Sequence, residues 1–542
     1  MIMNTLFYGD CLTIMREKMA PETVDLVYLD PPFNSNEDYN SIYTDETGRP
    51  LPDQVEAYTD TWVLDADAMR IIRDMPKMLS EHGINGHGAN FLSNFLSGIV
   101  HLQPDMAAYL AYMTERLLWV RRVMKPSASI YLHCDDTAAH YLKIMMDVLF
   151  GSKNMRAQIV WRRYGAHNDA KKPGRVYDLI HFYALDGKGV WNNERLPLDP
   201  EYVRKSYRHE DERGRYRTAP LHAGGLSGGG YDYEFRGFRR IWRYPKARMF
   251  ELEADNRIRQ GRGGKGIPER KVYLDESKGV PISNLWTDIQ ALTGNHKERL
   301  GYPTQKPLAL LERIIAASSN PGDLVFDPFC GCATTIEAAS QLNRNWLGID
   351  ITIHAIKRVA RARLQDRLHL VQDKDYVIDG LPQNWEGALE LWKQDPYQFQ
   401  KWCVEQVEGF VNVKKTADDG IDGRIYFDMP GEDILQCMAL EVKGGENLSI
   451  THLRSLNSVL QFNNIRMAGL ITLREPSKRQ MKNFLQTMAL AGDLEIDGRT
   501  YPRMQMLTVS QIIEGARFNM PSPAGRTASG YDSDLWNATQ NP

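Results

Sequence analysis

Three stretches of this chain carry side chains that could do chemistry, and the first two lie where an apolar run stops. The first is Asp30-Pro31-Pro32-Phe33, directly after Val24-Asp25-Leu26-Val27-Tyr28-Leu29. Two successive prolines fix φ twice and remove two N–H donors, so a strand cannot run on through them. The corner offers a carboxylate (Asp30), a carbonyl outside any ladder (Pro31) and an aromatic face (Phe33). Two acceptors beside a stacking ring suit a flat heterocycle with an exocyclic amine. Taken alone, Asp-Pro-Pro is more often a turn with a capping aspartate; Phe33 and Asn34 after a buried strand bring the two readings level.

The second stretch is Asp327 to Thr335, DPFCGCATT, after Leu324-Val325-Phe326. A helix to Leu342 and a strand Trp346 to Ile349 ending in Asp350 follow. Strand, glycine turn, helix, strand and an acid about 20 residues after the glycine is the order that binds a nucleoside, with the acid on the ribose. The chain has no GxGxxG at this turn, which argues against a dinucleotide. The third stretch is Gly420-Ile421-Asp422-Gly423, with Glu441-Val442-Lys443 about 20 residues on. In a strand, Glu441 and Lys443 point to one face. Two carboxylates can hold a divalent metal such as Mg²⁺, and a neighbouring lysine can orient or deprotonate water. A surface hairpin with alternating charges is the simpler source of acid–x–Lys by itself.

These stretches need elements to position them. Leu6-Phe7-Tyr8 reads as a strand with Gly9-Asp10 at its end, and Val24 to Leu29 as a second, buried strand. Residues 44–104 read as a polar, irregular insertion with short helices. Met106, Leu110, Met113, Leu117, Val120 and Met124 recur at helical spacing, so Pro104 to Val123 is expected to be a helix. Strands follow at Ser129 to His133 and Gln158 to Trp161. Pro307 opens a helix from Leu308 to Ser318. Between Arg156 and Asp275 basic residues outnumber acids by roughly ten. Aromatics such as Tyr216, Phe238 and Trp242 are interleaved with them. That mixture suits a phosphate backbone and base edges.

With 542 residues and a net charge of -3 the chain has room for several cores, and any basic surface is local. Its six cysteines form neither a disulfide framework nor a zinc pattern. The apolar runs are too short for a membrane span and the N-terminus lacks a signal-peptide pattern, so a cytoplasmic setting is expected.

Asp30 to Phe33, the glycine turn at Asp327 to Thr335 and the preceding Tyr302-Pro303-Thr304-Gln305-Lys306-Pro307 together resemble the amino-group DNA methyltransferases of the beta class. Their catalytic motif precedes the S-adenosylmethionine motif, with target recognition between. The resemblance implies an α/β, Rossmann-like methyltransferase with circularly permuted motif order: a catalytic part at 1–164, a target recognition domain at 165–299 and a cofactor-binding part at 300–378. It implies that Asp30, Pro31, Pro32 and Phe33 are catalytic. It also implies that Asp327, Phe329 and Gly331 cradle the cofactor, that Asp350 holds its ribose hydroxyls, that Thr304 and Lys306 lie near its methionine end, and that Asp10 lies near its adenine. Where the family usually has glycine this chain has Ala333, so the turn must close over a β-carbon. No Pro-Cys dipeptide exists for attack on a ring carbon, which leaves an exocyclic amine as target, adenine N6 before cytosine N4.

Gly420 to Gly423 followed by Glu441 to Lys443 resembles the Mrr-like branch of the PD-(D/E)xK nucleases. This implies a C-terminal α/β restriction-endonuclease-like domain at 390–515, with Asp422, Glu441 and Lys443 catalytic. Asp422 and Glu441 would be Mg²⁺ ligands, and Glu405 a candidate third acid. Residues 516–542 are expected to be a disordered tail. Double-stranded DNA is the implied partner; a second copy of the chain or a separate restriction subunit are further candidates. Two alternatives stand beside this reading: a C-terminal domain that only binds or recognises methylated DNA, and a non-catalytic DNA-binding protein. GxxxxGK[ST] is absent, so an ATP motor would be a separate chain.

Overall fold

The computed structural model describes residues 3–32, 40–41, 55–56, 62–165, 173–223, 230–293, 296–300, 305–352, 355–356, 363–412, 421–427, 429, 435–446, 448–461 and 465–521. They form two units: one of residues 1–192 with 284–542, the other of residues 193–283.

The larger unit is built on a nine-stranded sheet. Its strands are β1 (Asn4–Tyr8), β2 (Val24–Leu29), β3 (Met124–Cys134), β4 (Met155–Arg162), β5 (Tyr177–Ala184), β6 (Leu285–Trp286), β7 (Leu324–Asp327), β8 (Asn345–Asp350) and β9 (Tyr376–Asp379). Their order is β6-β4-β5-β3-β2-β7-β8-β1-β9. Neighbours pair in parallel except around β5, which is antiparallel to β3 and to β4. Parallel strands are covered on both faces, which is why β2 is buried along nearly its whole length. One face is covered by α1 (Cys11–Glu17), α2 (Ala66–Glu81), α3 (Gly86–Ile99) and α4 (Pro104–Val123), which share a core with β2 and β3. The expected helix from Pro104 to Val123 is present, and Met124 opens β3 instead of extending the helical stripe.

The insertion at 44–104 differs from its expectation of short helices. α2 and α3 have 16 and 14 residues, start on Asp65 and Asn85 caps, and bury Ala68, Ile72, Met75, Leu79 and Ala89, Leu92, Leu96, Ile99. Burying such a side chain contributes about 1.5–3 kcal/mol for the larger ones, enough to offset an interior proline, Pro76. Two helices complete the cofactor half: α5 (Leu308–Ser318) and α6 (Thr334–Gln341).

After β9 the same unit holds a second, five-stranded sheet. The chain enters through α7 (Pro396–Gln406) and continues through β10 (Phe410–Val411), β11 (Gly423–Phe427), β12 (Gln436–Lys443), α8 (Ile450–Val459), β13 (Ile465–Thr472), α9 (Lys478–Ala489) and β14 (Met504–Thr508). β10, β11 and β12 pair antiparallel; β12, β13 and β14 pair parallel. Phe518 is buried, and the Asn519 N–H donates to Gln505 Oε1 at 2.8 Å. Residues 516–521 therefore pack on this sheet although their composition assigns them to the tail; the rest of the expected tail lies outside the described residues.

The smaller unit, narrower than the 165–299 segment read from composition, has a core of its own. It contains Leu221, Phe235, Trp242, Met249, Leu252 and Ile258. Part of its positive charge is neutralised internally, by Arg257–Glu276 at 2.5 Å, Arg236–Glu253 at 2.6 Å and Lys271–Asp211 at 2.8 Å. No helix among the described residues is long and apolar enough to cross a membrane.

Candidate active site

β2, β7, β8 and β1 are consecutive neighbours, and a carboxylate stands at the carboxyl end of each: Asp30 after β2, Asp327 closing β7, Asp350 closing β8, Asp10 just beyond β1. In an open parallel sheet this edge is where ligands bind. All four acids line one pocket of about 870 Å³, part of it continuous with solvent, together with Lys306 and Phe329.

Asp30 has two unlike oxygens. Oδ2 accepts from Lys306 Nζ at 2.5 Å, and both side chains are largely buried. Oδ1 is buried and, among the described residues, meets no hydrogen-bond donor. A buried acceptor without a donor is costly unless a ligand satisfies it. Pro31 is buried and Pro32 lines the pocket. Phe33 and Thr304, both expected at this site, lie outside the described residues.

The glycine turn is fastened from both ends. Asp327 Oδ1 accepts from the Phe329 N–H at 3.0 Å, and Oδ2 from Thr335 Oγ1 at 2.5 Å. Asp350 Oδ2 accepts from the Gly331 N–H at 2.9 Å, while Oδ1 takes the N–H and hydroxyl of Thr352, each at 2.8 Å. Both acids thus hold the loop, and each oxygen keeps lone-pair capacity for a ligand. Burial pushes the Asp327 carboxyl up to about 7, with Asp30 and Asp350 adding to the rise against the bonds from Thr335 and Phe329. Burial also raises Asp350. An edge this rich in carboxylates favours a cationic ligand. Gly331 has φ +47°, and Ala333 has φ +61° with its β-carbon buried. The β-carbon is accommodated at a cost of about 1 kcal/mol relative to glycine.

Asp10 is committed twice. Oδ1 caps α1 through the Leu12 and Thr13 N–H groups, and Oδ2 accepts from Arg116 Nη2 at 2.7 Å. Arg116 stands beside Glu115 inside α4, and nothing in the linear sequence pairs it with Asp10.

At the second sheet, Gly423 faces Leu440 across the antiparallel pair, so Asp422 falls opposite Glu441. Asp422 Oδ2 accepts from the Val442 N–H at 2.7 Å. Glu441 Oε1 lies 2.9 Å from Lys443 Nζ and 3.1 Å from His452 Nδ1; His452, on α8, was not singled out from the sequence. Gly420 lies outside the described residues. Among the described residues no three His, Cys, Asp or Glu side chains converge as a metal-ligating group, so Glu405 does not join Asp422 and Glu441. Glu405 acts instead on Tyr8 of β1, where it is the largest contribution after burial to a raised phenol. Its helix α7 docks against the large sheet, with Gln398 Nε2 donating to Ile351 O at 2.9 Å.

A sequence model of the N6/N4 methylase family, described as DNA methylase, matches residues 24–361. The match includes Asp30, the glycine turn and Asp350 and ends before the second sheet. The Type II methyltransferase M.EcaI of Enterobacter cloacae is 33% identical over 292 residues, 53% of this chain and 63% of that protein. The Mod subunit of the Type III restriction-modification enzyme StyLTI of Salmonella typhimurium is 32% identical over 358 residues, 63% of this chain and 50% of that protein. The chain thus spans between half and two-thirds of the length of these curated relatives. Among solved structures, the PvuII DNA methyltransferase (cytosine-N4-specific) aligns with a TM-score of 0.31 and 11% identity over 67% of this chain and 90% of that one.

Proposed function

The chain belongs to the N6/N4 DNA methylase family, and from that premise we propose that it transfers the methyl group of S-adenosylmethionine to the exocyclic amine of a DNA base, adenine N6, in a restriction–modification setting. One observation carries the reading: a buried carboxylate oxygen, Asp30 Oδ1, that meets no donor among the described residues, on a side chain lining the same pocket as the glycine turn.

S-adenosylmethionine supplies a methyl group made electrophilic by a positively charged sulfur. Its adenosine would lie along the Gly331 turn with the ribose hydroxyls on Asp350, and the acids of the sheet edge suit its charge. Asp30 Oδ1 and the Pro31 carbonyl would each accept one amine hydrogen, drawing the nitrogen lone pair out of the ring and towards the methyl carbon. On transfer the N–C bond would form as the C–S bond breaks, sulfur would keep the electron pair, and the amine's proton would pass by way of Asp30 Oδ1 to water. Lys306 holds Asp30 Oδ2, which leaves Oδ1 as the oxygen that faces the amine. Phe33 would stack on a base turned out of the duplex. The separate unit at 193–283, with its arginines and aromatics, is the proposed reader of the DNA sequence.

For the second sheet we infer a Mg²⁺-dependent endonuclease. Asp422 and Glu441 sit side by side on paired strands with Lys443 against Glu441. Mg²⁺ is commonly held by one or two carboxylates with waters and phosphates completing its shell, which these residues fit. A DNA-binding module without cleavage is the second reading, favoured by the engagement of Glu441 with both Lys443 and His452.

The test is to incubate the chain with DNA and S-adenosylmethionine carrying a labelled methyl group, then identify the modified nucleoside by mass spectrometry. N6-methyladenine is expected. N4-methylcytosine would move the target, and an unlabelled digest would refute the reading.

A further inference from the structure

The turn after β8 is fastened at several points. The Gly9 N–H donates to the Asp350 carbonyl at 3.0 Å, and the Gly331 N–H to Asp350 Oδ2 at 2.9 Å. Asp350 Oδ1 takes the Thr352 N–H, which closes the turn over Ile351. One further bond comes from elsewhere: Gln398 Nε2 donates to the Ile351 carbonyl at 2.9 Å. Asp350, Ile351 and Thr352 all line the pocket. Gln398 stands on α7, which packs on β10 and β12 of the second sheet. It lies beyond residue 361, where the family match ends.

Packing alone does not explain a glutamine at this place. Gln398 is 3% exposed, on a helix that also buries Phe399 and Trp402. A buried amide is costly unless it is hydrogen-bonded, and an apolar side chain of similar length would fill the space without that cost. The base of the side chain is fixed as well. Asp395 caps α7, its Oδ1 accepting from the Gln398 N–H at 2.9 Å, and Pro396 opens the first helical turn. A capped, buried helix start therefore holds one donor against a turn whose other bonds come from the methylase part. That turn matters to a ligand. Ile351 directly follows the acid proposed for the ribose, and its side chain, 37% exposed, is an apolar surface that a bound nucleoside would cover.

We propose that Gln398 makes the second-sheet module part of the cofactor site: its bond holds the Asp350–Thr352 turn in the shape that receives S-adenosylmethionine, and cofactor binding in turn tightens α7 against that turn. Gln398 is a positioning residue, since it acts through the Ile351 peptide and not on the ligand. The two effects are one coupling free energy, so each must accompany the other. The inference rests on the methylase reading above, which supplies the ligand.

Gln398→Met keeps the length of the side chain and removes the donor. In calorimetric titration of the full chain without DNA, S-adenosylmethionine should bind the variant roughly 3- to 10-fold more weakly, the scale of one neutral hydrogen bond. The KM for S-adenosylmethionine should rise by the same factor, so methyl transfer falls at limiting cofactor and recovers at saturation. A role confined to docking α7 predicts instead a lower melting temperature with unchanged affinity, and that result overturns the proposal. Hydrogen exchange gives a readout independent of methyl transfer. In the native chain the cofactor should slow exchange of the α7 amides as well as those around Gly331. In Gln398→Met the slowing in α7 should vanish while that around Gly331 stays. Exchange in α7 that the cofactor leaves unchanged in the native chain overturns the proposal, and this result needs no variant that folds. A native chain that binds no S-adenosylmethionine defeats the methylase reading and this inference with it. A native chain that binds and transfers methyl, beside a Gln398→Met chain of equal affinity, defeats this inference alone.

Discussion

Replacing Thr335 by valine removes one hydroxyl from the end of the glycine turn and leaves the side chain's shape. That hydroxyl donates to Asp327 Oδ2 at 2.5 Å in a site where Asp327 is 3% exposed, so water does not replace it. The bond is worth about 1.5–3 kcal/mol to an ionised carboxylate and about 0.5–1.5 kcal/mol to a neutral carboxyl. Burial, assisted by Asp30 and Asp350, pushes the Asp327 carboxyl up to about 7, far above the usual range of an aspartate. An acid with a raised folded value holds its proton longer than the unfolded chain does. It therefore loses stability as pH rises from about 4 to about 7, then stays level. Thr335→Val removes a bond that favours the ionised form, raising the folded value further by about one unit, or about 1.4 kcal/mol. The variant's melting temperature should thus drop at pH 8 by roughly twice its drop at pH 6. The assay is a pair of thermal melts at each pH for native and variant chains without cofactor. An equal drop at both values, or a larger one at pH 6, would refute the assignment of a raised, buried Asp327 at this turn.

The same acids make a cofactor prediction. S-adenosylmethionine should bind more tightly at pH 8 than at pH 6, because its sulfonium favours ionised Asp327, and S-adenosylhomocysteine, without that charge, should show a weaker dependence; calorimetric titration of both at the two pH values checks it. Glu441→Gln should stop Mg²⁺-dependent cleavage of DNA while leaving methyl transfer unchanged, since the two sites lie on separate sheets; gel assays with and without Mg²⁺, beside label incorporation, read both. Exchanging residues 193–283 for those of a relative with another specificity should change the methylated sequence and leave cofactor affinity within about threefold; mapping modified bases by sequencing decides it.

The legible parts of the sequence were those where one element carried its own signal. β2 reads as a buried strand because apolar residues run up to Asp30, and two prolines then end it. The glycine turn is readable because Gly331, the helix after it and Asp350 keep a spacing dictated by one strand–helix–strand unit. α2 and α3 were obscured because Pro76 and the Gly86-His87-Gly88 run look like breaks, while the stripes they bury are decided by packing on α4. Asp10 is visible as a helix cap, but its bond to Arg116 spans 106 positions and has no linear signature. Tyr28, His133, Asp178 and Arg163 are polar residues in or beside apolar strands, which marks them as unusual. Only the strand order β2-β3-β5-β4 brings them into one hydrogen-bonded line. Glu405 was matched by its place on a preceding helix; α7 packs on β12 and also docks on Ile351, and Glu405 acts on Tyr8 of the large sheet.

Asp30→Asn tests the central claim most directly. Lys306 Nζ can only donate, so it will hold the amide oxygen, and the amide N–H₂ will take the place of Oδ1. A donor then faces the amine where an acceptor is required, at nearly unchanged volume. Labelled methyl incorporation into DNA should fall at least about 100-fold, the scale of losing one well-placed electrostatic contact in a transition state. Binding of S-adenosylmethionine, titrated on the same preparation, should stay within about threefold. Undiminished transfer, or transfer and cofactor binding lost together in a chain that still folds, would contradict the account.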